Sequence, residues 1–149
     1  MIAVDTNILA RFYVNDPDDA ESSRQRPLAR QVMAEPSVFV ALTVVLELEW
    51  VLRAFYEFTA HEFGRVLTHL FGLPNVSVED WPRVAQALDA HLQGIDFADA
   101  LHLASGAHCS VLMSFDRRRF AGKARRLGLK PDVVVPVIAL AAARSRPPQ

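Results

Sequence analysis

Five short apolar runs, set apart by longer stretches, constrain what this chain can fold into more than any other feature. They occupy residues 2–4, 37–41, 75–78, 111–115 and 133–135, and each is the length of a strand. Between them, residues 7–14 carry apolar side chains at helical spacing. The run Asp16-Pro17-Asp18-Asp19 supplies turn and cap chemistry for a polar, Arg-rich helix that ends near Glu35 and Pro36. Thr43 is expected to cap a long helix reaching about Phe58, with Val44, Leu48, Val51 and Phe55 as its apolar stripe. Further helices are predicted over residues 60–71, after an Asp80 cap through Val84, Leu88 and Leu92, and from about Asp96 to about His108. Residues 138–143 add a last helical turn, and 144–149 form a flexible tail. Short apolar strands alternating with helices predict an α/β fold, a three-layer α/β/α sandwich with a mainly parallel central sheet.

At 149 residues, one domain over residues 1–143 is expected. Apolar residues at 51% and charged residues at 22% suit a globular chain and exclude a disordered one. The longest apolar stretch, residues 38–46, falls far short of the roughly 20 residues of a membrane span, so no membrane role is expected. The chain opens directly into its first apolar run, without a basic segment, a long apolar core and a cleavage site. Its single cysteine, Cys109, excludes an intrachain disulfide and any cysteine-based metal site, which fits a reducing cytoplasm. Cys109 itself is expected to be a small buried apolar residue. A net charge of −1 excludes a protein that holds nucleic acid by overall positive charge. The distribution differs: Arg117, Arg118, Arg119, Lys123, Arg125, Arg126 and Lys130 follow one another without an acid among them.

In parallel α/β folds, functional groups gather at the C-terminal ends of the strands. Asp5 and Asp116 are predicted at such ends, and Glu47 and Asp99 near the starts of helices that follow, so four carboxylates are expected to meet at one rim. Packed carboxylates repel and raise one another's pKa unless a cation neutralises them. Mg²⁺ prefers oxygen ligands, keeps several waters and binds a few carboxylates together with substrate phosphate. It can then activate water and stabilise charge on phosphoryl oxygens, which is the chemistry of phosphodiester hydrolysis. Singly, each acid has a plainer use. Asp5 or Asp116 could open a turn, Glu47 could favour a helix N-terminus, and Asp96 and Asp99 could be a cap and its first-turn partner.

Four segments then carry a family resemblance: Ile2-Ala3-Val4-Asp5-Thr6-Asn7-Ile8-Leu9, Thr43-Val44-Val45-Leu46-Glu47, Asp96-Phe97-Ala98-Asp99-Ala100-Leu101-His102-Leu103-Ala104, and Leu112-Met113-Ser114-Phe115-Asp116-Arg117-Arg118-Arg119-Phe120. In this order and at these intervals, covering nearly the whole chain, they resemble the PIN-domain family, and within it the VapC-like ribonuclease toxins of type II toxin-antitoxin systems. The resemblance implies metal-binding and catalytic roles for Asp5, Glu47, Asp99 and Asp116, with Asp96 as an outer-shell carboxylate. It implies supporting roles for Asn7 and for Ser114, a serine where the family more often has threonine. The cofactor it implies is Mg²⁺ or Mn²⁺, the activity an endoribonuclease, and the partners RNA, a cognate antitoxin and a second copy of the chain.

Under this resemblance Arg117, Arg118 and Arg119 would hold RNA phosphates beside Asp116, and Lys123, Arg125 and Arg126 would extend the track, giving affinity without sequence choice. His102 could approach the site but reads as a helix-surface or packing residue. His61, His69, His91 and His108 have no ligand-like spacing. Trp50, Phe55, Tyr56 and Phe58 could stack on RNA bases, yet their crowding on one helix favours core or interface. Two rivals stand beside the nuclease. A phosphotransfer enzyme with Asp5 as nucleophile lacks a second acid at position 7, where Asn7 stands, and its only lysines are Lys123 and Lys130. A catalytically silent RNA- or protein-binding module on the same fold would have no need of all four acids.

Overall fold

A computed structural model describes residues 1–137, so the expected helical turn over 138–143 and the tail 144–149 lie outside the described residues. The chain divides into two compact units, Met1–Ala85 and Gln86–Gln149. The first holds β1 (Ile2–Ala3), α1 (Thr6–Tyr13), α2 (Ala20–Met33), β2 (Val38–Val40), α3 (Leu42–Tyr56), α4 (Ala60–Gly72) and β3 (Val76–Val78), and α5 (Trp81–Leu92) spans the boundary. The second holds α6 (Phe97–Ser105), β4 (Val111–Met113), a π-helical turn at Arg117–Ala121, α7 (Gly122–Arg126) and β5 (Asp132–Val134).

Every strand pairing among the described residues is parallel. In the first unit the order is β1-β2-β3, with Ile2 opposite Val38 and Phe39 opposite Ser77. In the second, β4 pairs with β5, Val111 opposite Asp132. Parallel strands need crossover connections, and the helices supply them. Seven α-helices and parallel strands among the described residues are the α/β class expected, compatible with a three-layer α/β/α fold. β2, the middle strand, buries Val38 and Val40 fully. Helices α3 and α4 add Val45, Leu48, Leu52, Phe63, Leu67 and Leu70 to that unit's core. Each such side chain contributes about 1.5–3 kcal/mol over leaving it in water. The core of the second unit is built on Ile95, Phe97, Phe120 and Ala124.

Several expectations are corrected. Thr43 does not cap α3: the helix begins one residue earlier, after Ala41, which offers no side-chain bond. The cap comes from afar, as the Glu79 carboxylate just past β3 accepts from the Leu42 amide at 2.7 Å. The buried stripe of α3 is Val45, Leu48, Glu49 and Leu52, one residue out of phase with the expected Val44, Val51 and Phe55. Phe55 is 66% exposed and Trp50 51% exposed, so the aromatic crowd on α3 is not core. Cys109 is exposed too, in a tight turn where its amide bonds the Gly106 carbonyl. The basic segment, to which the sequence assigned no element, forms the π-helical turn and α7. Its apolar points, Phe120, Ala121 and Ala124, are too few to read as a stripe, yet all three are buried.

Candidate active site

Asp5 stands where β1 hands over to α1. Its carboxylate accepts from the Thr6 amide at 2.7 Å and its carbonyl from the Ile8 amide at 3.1 Å, so it serves as the cap of α1. The positive end of that helix stabilises an ionised carboxylate there. Two residues on, Asn7 faces the same hollow of about 430 Å³ as Asp5 and Glu47, the latter on an exposed turn of α3. The first unit thus brings Asp5, Asn7 and Glu47 to one concave surface. Arg11, Asp16 and Phe55 also line it.

In the second unit, Asp99 lies in the first turn of α6. Its carboxyl is pushed above the usual carboxylate range, first by burial, then by the charge of Asp96, and further by Asp116, while His102 pulls the other way. Asp96 occupies the cap position of α6 but spends no side-chain bond on the helix; only its backbone carbonyl is used, by the Ala100 amide at 2.8 Å. The plain capping role therefore leaves its carboxylate free to act on Asp99. Asp116 caps the π-helical turn, accepting from the Arg119 amide at 2.8 Å. Ser114 accepts from the Asp116 amide at 3.1 Å, which fixes the turn that presents that acid. His102 is exposed on the surface of α6, as expected, one turn beyond Asp99.

The basic residues separate into two kinds. Arg117, Arg118, Arg119, Arg125 and Arg126 are exposed, and Arg117 and Arg125 line one hollow of about 660 Å³. Lys123 is half-buried, and its ammonium donates to the Gly94 carbonyl at 3.0 Å, latching α7 onto the turn before α6. The π geometry itself presents the arginines: the Gly122 amide reaches back to the Arg117 carbonyl. A Cβ at Gly122 would stand 3.0 Å from that carbonyl, so glycine suits the position. Such turns recur at functional sites.

Sequence reasoning missed several polar groups. Arg11 donates to Gln25 at 2.9 Å and to the Tyr56 hydroxyl at 3.1 Å, a three-helix clasp across α1, α2 and α3. Glu49 is buried and bonds Arg53 at 2.9 Å, a pair its four-residue helical spacing could have revealed. Tyr13 bonds the His69 ring at 2.9 Å, and burial pushes its phenol well above the usual range.

The donors presented are carboxylates and one amide oxygen, a set suited to a hard divalent cation and unsuited to a soft one. Among the described residues no three His, Cys, Asp or Glu side chains stand close enough together to hold a metal ion between them. Mg²⁺ does not ask for such a cluster, since it uses one or two carboxylates with water and substrate completing its shell. The mutual repulsion around Asp99 is what such a cation would relieve.

Among the described residues no helix is long and apolar enough to cross a membrane. No curated protein matches the chain. The PIN domain model, however, matches residues 2–126, a span that includes all four of Asp5, Glu47, Asp99 and Asp116. PIN domains are generally metal-dependent nucleases that bind nucleic acid and use divalent metals. A match over most of the sequence, on an α/β fold with parallel strands and an oxygen-rich donor set, means that the chain belongs to the PIN domain family.

Proposed function

We propose that this protein is an Mg²⁺- or Mn²⁺-dependent endoribonuclease, the VapC-like toxin of a toxin-antitoxin pair, with Asp5, Glu47, Asp99 and Asp116 as its metal-binding and catalytic carboxylates. The observation that carries the reading is the family match that spans these four acids. When bound, the cation neutralises charge on the phosphoryl oxygens and polarises the attacking water. The protein's own groups do the rest. Asp99, its carboxyl already raised by burial and by Asp96 and Asp116, gains most from a neighbouring cation. Asp5 is held by the first amide of α1 and so keeps its orientation. Asp96 supplies an outer carboxylate. Asn7 orients substrate or carboxylate, and Ser114 holds the turn that aims Asp116. Arg117, Arg118, Arg119, Arg125 and Arg126 bind RNA phosphates, while Lys123 contributes mainly by fixing α7. RNA, an antitoxin whose segment blocks the acidic site, and a second copy of this chain are the partners of this reading, and the cytoplasm is its setting.

The test incubates purified protein, free of any partner, with total RNA in Mg²⁺, in Mn²⁺ and in EDTA, beside Asp5→Ala and Asp99→Ala. Discrete fragments that need the cation, with cleavage falling at least 100-fold in both variants, are expected when ligands of a catalytic metal are removed. Intact RNA in every lane, from folded protein shown to bind Mn²⁺, would favour the silent binding module. A small adjacent reading frame encoding a DNA-binding protein supports the toxin role over a solitary nuclease.

A further inference from the structure

The acidic hollow of the first unit contains a feature that carboxylate chemistry alone leaves unexplained. Arg11 lines it together with Asp5, Asn7, Asp16 and Glu47 and its charge acts on Asp19, yet it makes no salt bridge with any acid among the described residues. Its guanidinium is instead gripped from two sides by neutral acceptors. Nε donates to the Gln25 side-chain oxygen at 2.9 Å, and one Nη donates to the Tyr56 hydroxyl at 3.1 Å. A guanidinium carries five N–H donors in a rigid fork, so two fixed bonds set its plane and leave the others to a ligand. Such a fork matches a phosphate. Arg11 is only half-buried, so a ligand can reach it.

At the same hollow stands Phe55, 66% exposed, its ring edge-on to Trp50 with centroids 5.4 Å apart and planes at 85°. A phenylalanine this exposed contributes little to the core, and the perpendicular Trp50 ring holds it upright. An aromatic face beside a fixed guanidinium is the combination that binds one nucleotide of a single strand, base on ring and phosphate on fork.

We propose that this hollow is a nucleotide subsite of the nuclease, with the Arg11 guanidinium on one backbone phosphate and the Phe55 ring stacked on the adjoining base. It rests on the reading of the chain as an RNA nuclease and names the substrate it admits: an unpaired nucleotide, since a base locked in a duplex cannot present its face. Gln25 and Tyr56 are positioning residues, acting through Arg11.

The experiment follows binding of a single-stranded RNA dodecamer in Ca²⁺ by Trp50 fluorescence, in a Trp81→Phe background that removes the other tryptophan, at several salt concentrations. Arg11→Ala is expected to weaken binding roughly tenfold and to make the slope of log K against log salt shallower by about 0.7, the value for one phosphate contact on a single strand. Phe55→Ala weakens binding roughly tenfold with the slope unchanged, since stacking releases no counterions. Tyr56→Phe combined with Gln25→Leu keeps the charge and frees the fork, and loses several-fold. A duplex of the same sequence binds without the Phe55 dependence. Unaltered affinity and slope in Arg11→Ala, or unaltered affinity in Phe55→Ala, overturns the subsite even where the protein cleaves RNA in Mg²⁺. Binding that depends on both residues without any cleavage in Mg²⁺ or Mn²⁺ keeps the subsite and removes the nuclease. Absence of binding by the parent protein removes both.

Discussion

At the scale of single residues, the acids of this chain hold two roles at once. Asp5 and Asp116 are helix caps as well as candidate metal ligands, so the plain reading and the functional reading of each are compatible. A third capping acid, Asp19, lies in neither hollow described above and shows the capping effect most plainly, with the Arg11 charge a minor addition. Its carboxylate accepts from the Ser22 hydroxyl at 2.8 Å and the Glu21 amide at 3.1 Å, which hold its pKa below the usual range, the Ser22 bond foremost. A depressed folded-state value means that this stabilisation is present above the unfolded pKa, near 3.9, and is lost as pH falls through the lower folded value. In urea melts, the stability difference between the parent and Asp19→Ala should therefore be constant from about pH 7 to pH 5 and narrow below about pH 4. A difference that does not change over this range would show that the cap works without its charge. Residue identity made the Asp19 cap legible in the sequence, whereas the plain use expected there of Asp5 and Asp116 was only to open a turn. What it did not reveal is Arg11: a lone arginine on an amphipathic helix looks like any solvated cation until Gln25 and Tyr56, 14 and 45 residues away, are seen to hold it.

Among the elements, α3 shows best why periodicity locates a helix more reliably than it orients one. Val44 and Val45 are both apolar, as are Val51 and Leu52, so a stripe can be drawn along either set; the fold chose Val45, Leu48 and Leu52. That choice turned Phe55 outward and placed Glu49 inside, with Arg53 as its partner. The start of α3 was equally hidden. Thr43 is a good capping residue by type, but the helix draws its acceptor from Glu79, 37 residues further on. Replacing Glu79 with Ala leaves the Leu42 amide without this partner and should lower stability by about 1 kcal/mol, the usual value of a helix cap. Chemical denaturation reads that loss directly, whereas Thr43→Ala should fall within about 0.5 kcal/mol of the parent, as surface substitutions do. Equal losses in both variants would return the cap to Thr43. The strands, by contrast, were found within one or two residues of their places, because a short apolar run between polar breaks has few other uses in a chain of this composition.

For the molecule as a whole, the proposed cation makes a prediction about stability. Burial first, and then the charges of Asp96 and Asp116, disfavour an ionised Asp99 within the second unit. In EDTA, Asp99→Asn should therefore melt at a higher temperature than the parent. Added Mg²⁺ should raise the parent's melting temperature in step with its concentration and move the variant much less, because a ligand held by the native state alone stabilises by mass action. A parent protein indifferent to Mg²⁺ from micromolar to millimolar levels would remove Asp99 from the metal site. The four acids are proposed from the family segments that contain them, and nothing in the spacing of those segments shows how each is held. The basic segment was legible as charge and not as shape, since a π-helical turn leaves no period in seven cationic residues. The exposed turn around Cys109 has a practical use of its own. With one thiol in the entire chain and that thiol at the surface, a maleimide dye will couple at a single known position in the unmodified protein. It would give the second unit an optical reporter to set beside the native indole of Trp50 in the first.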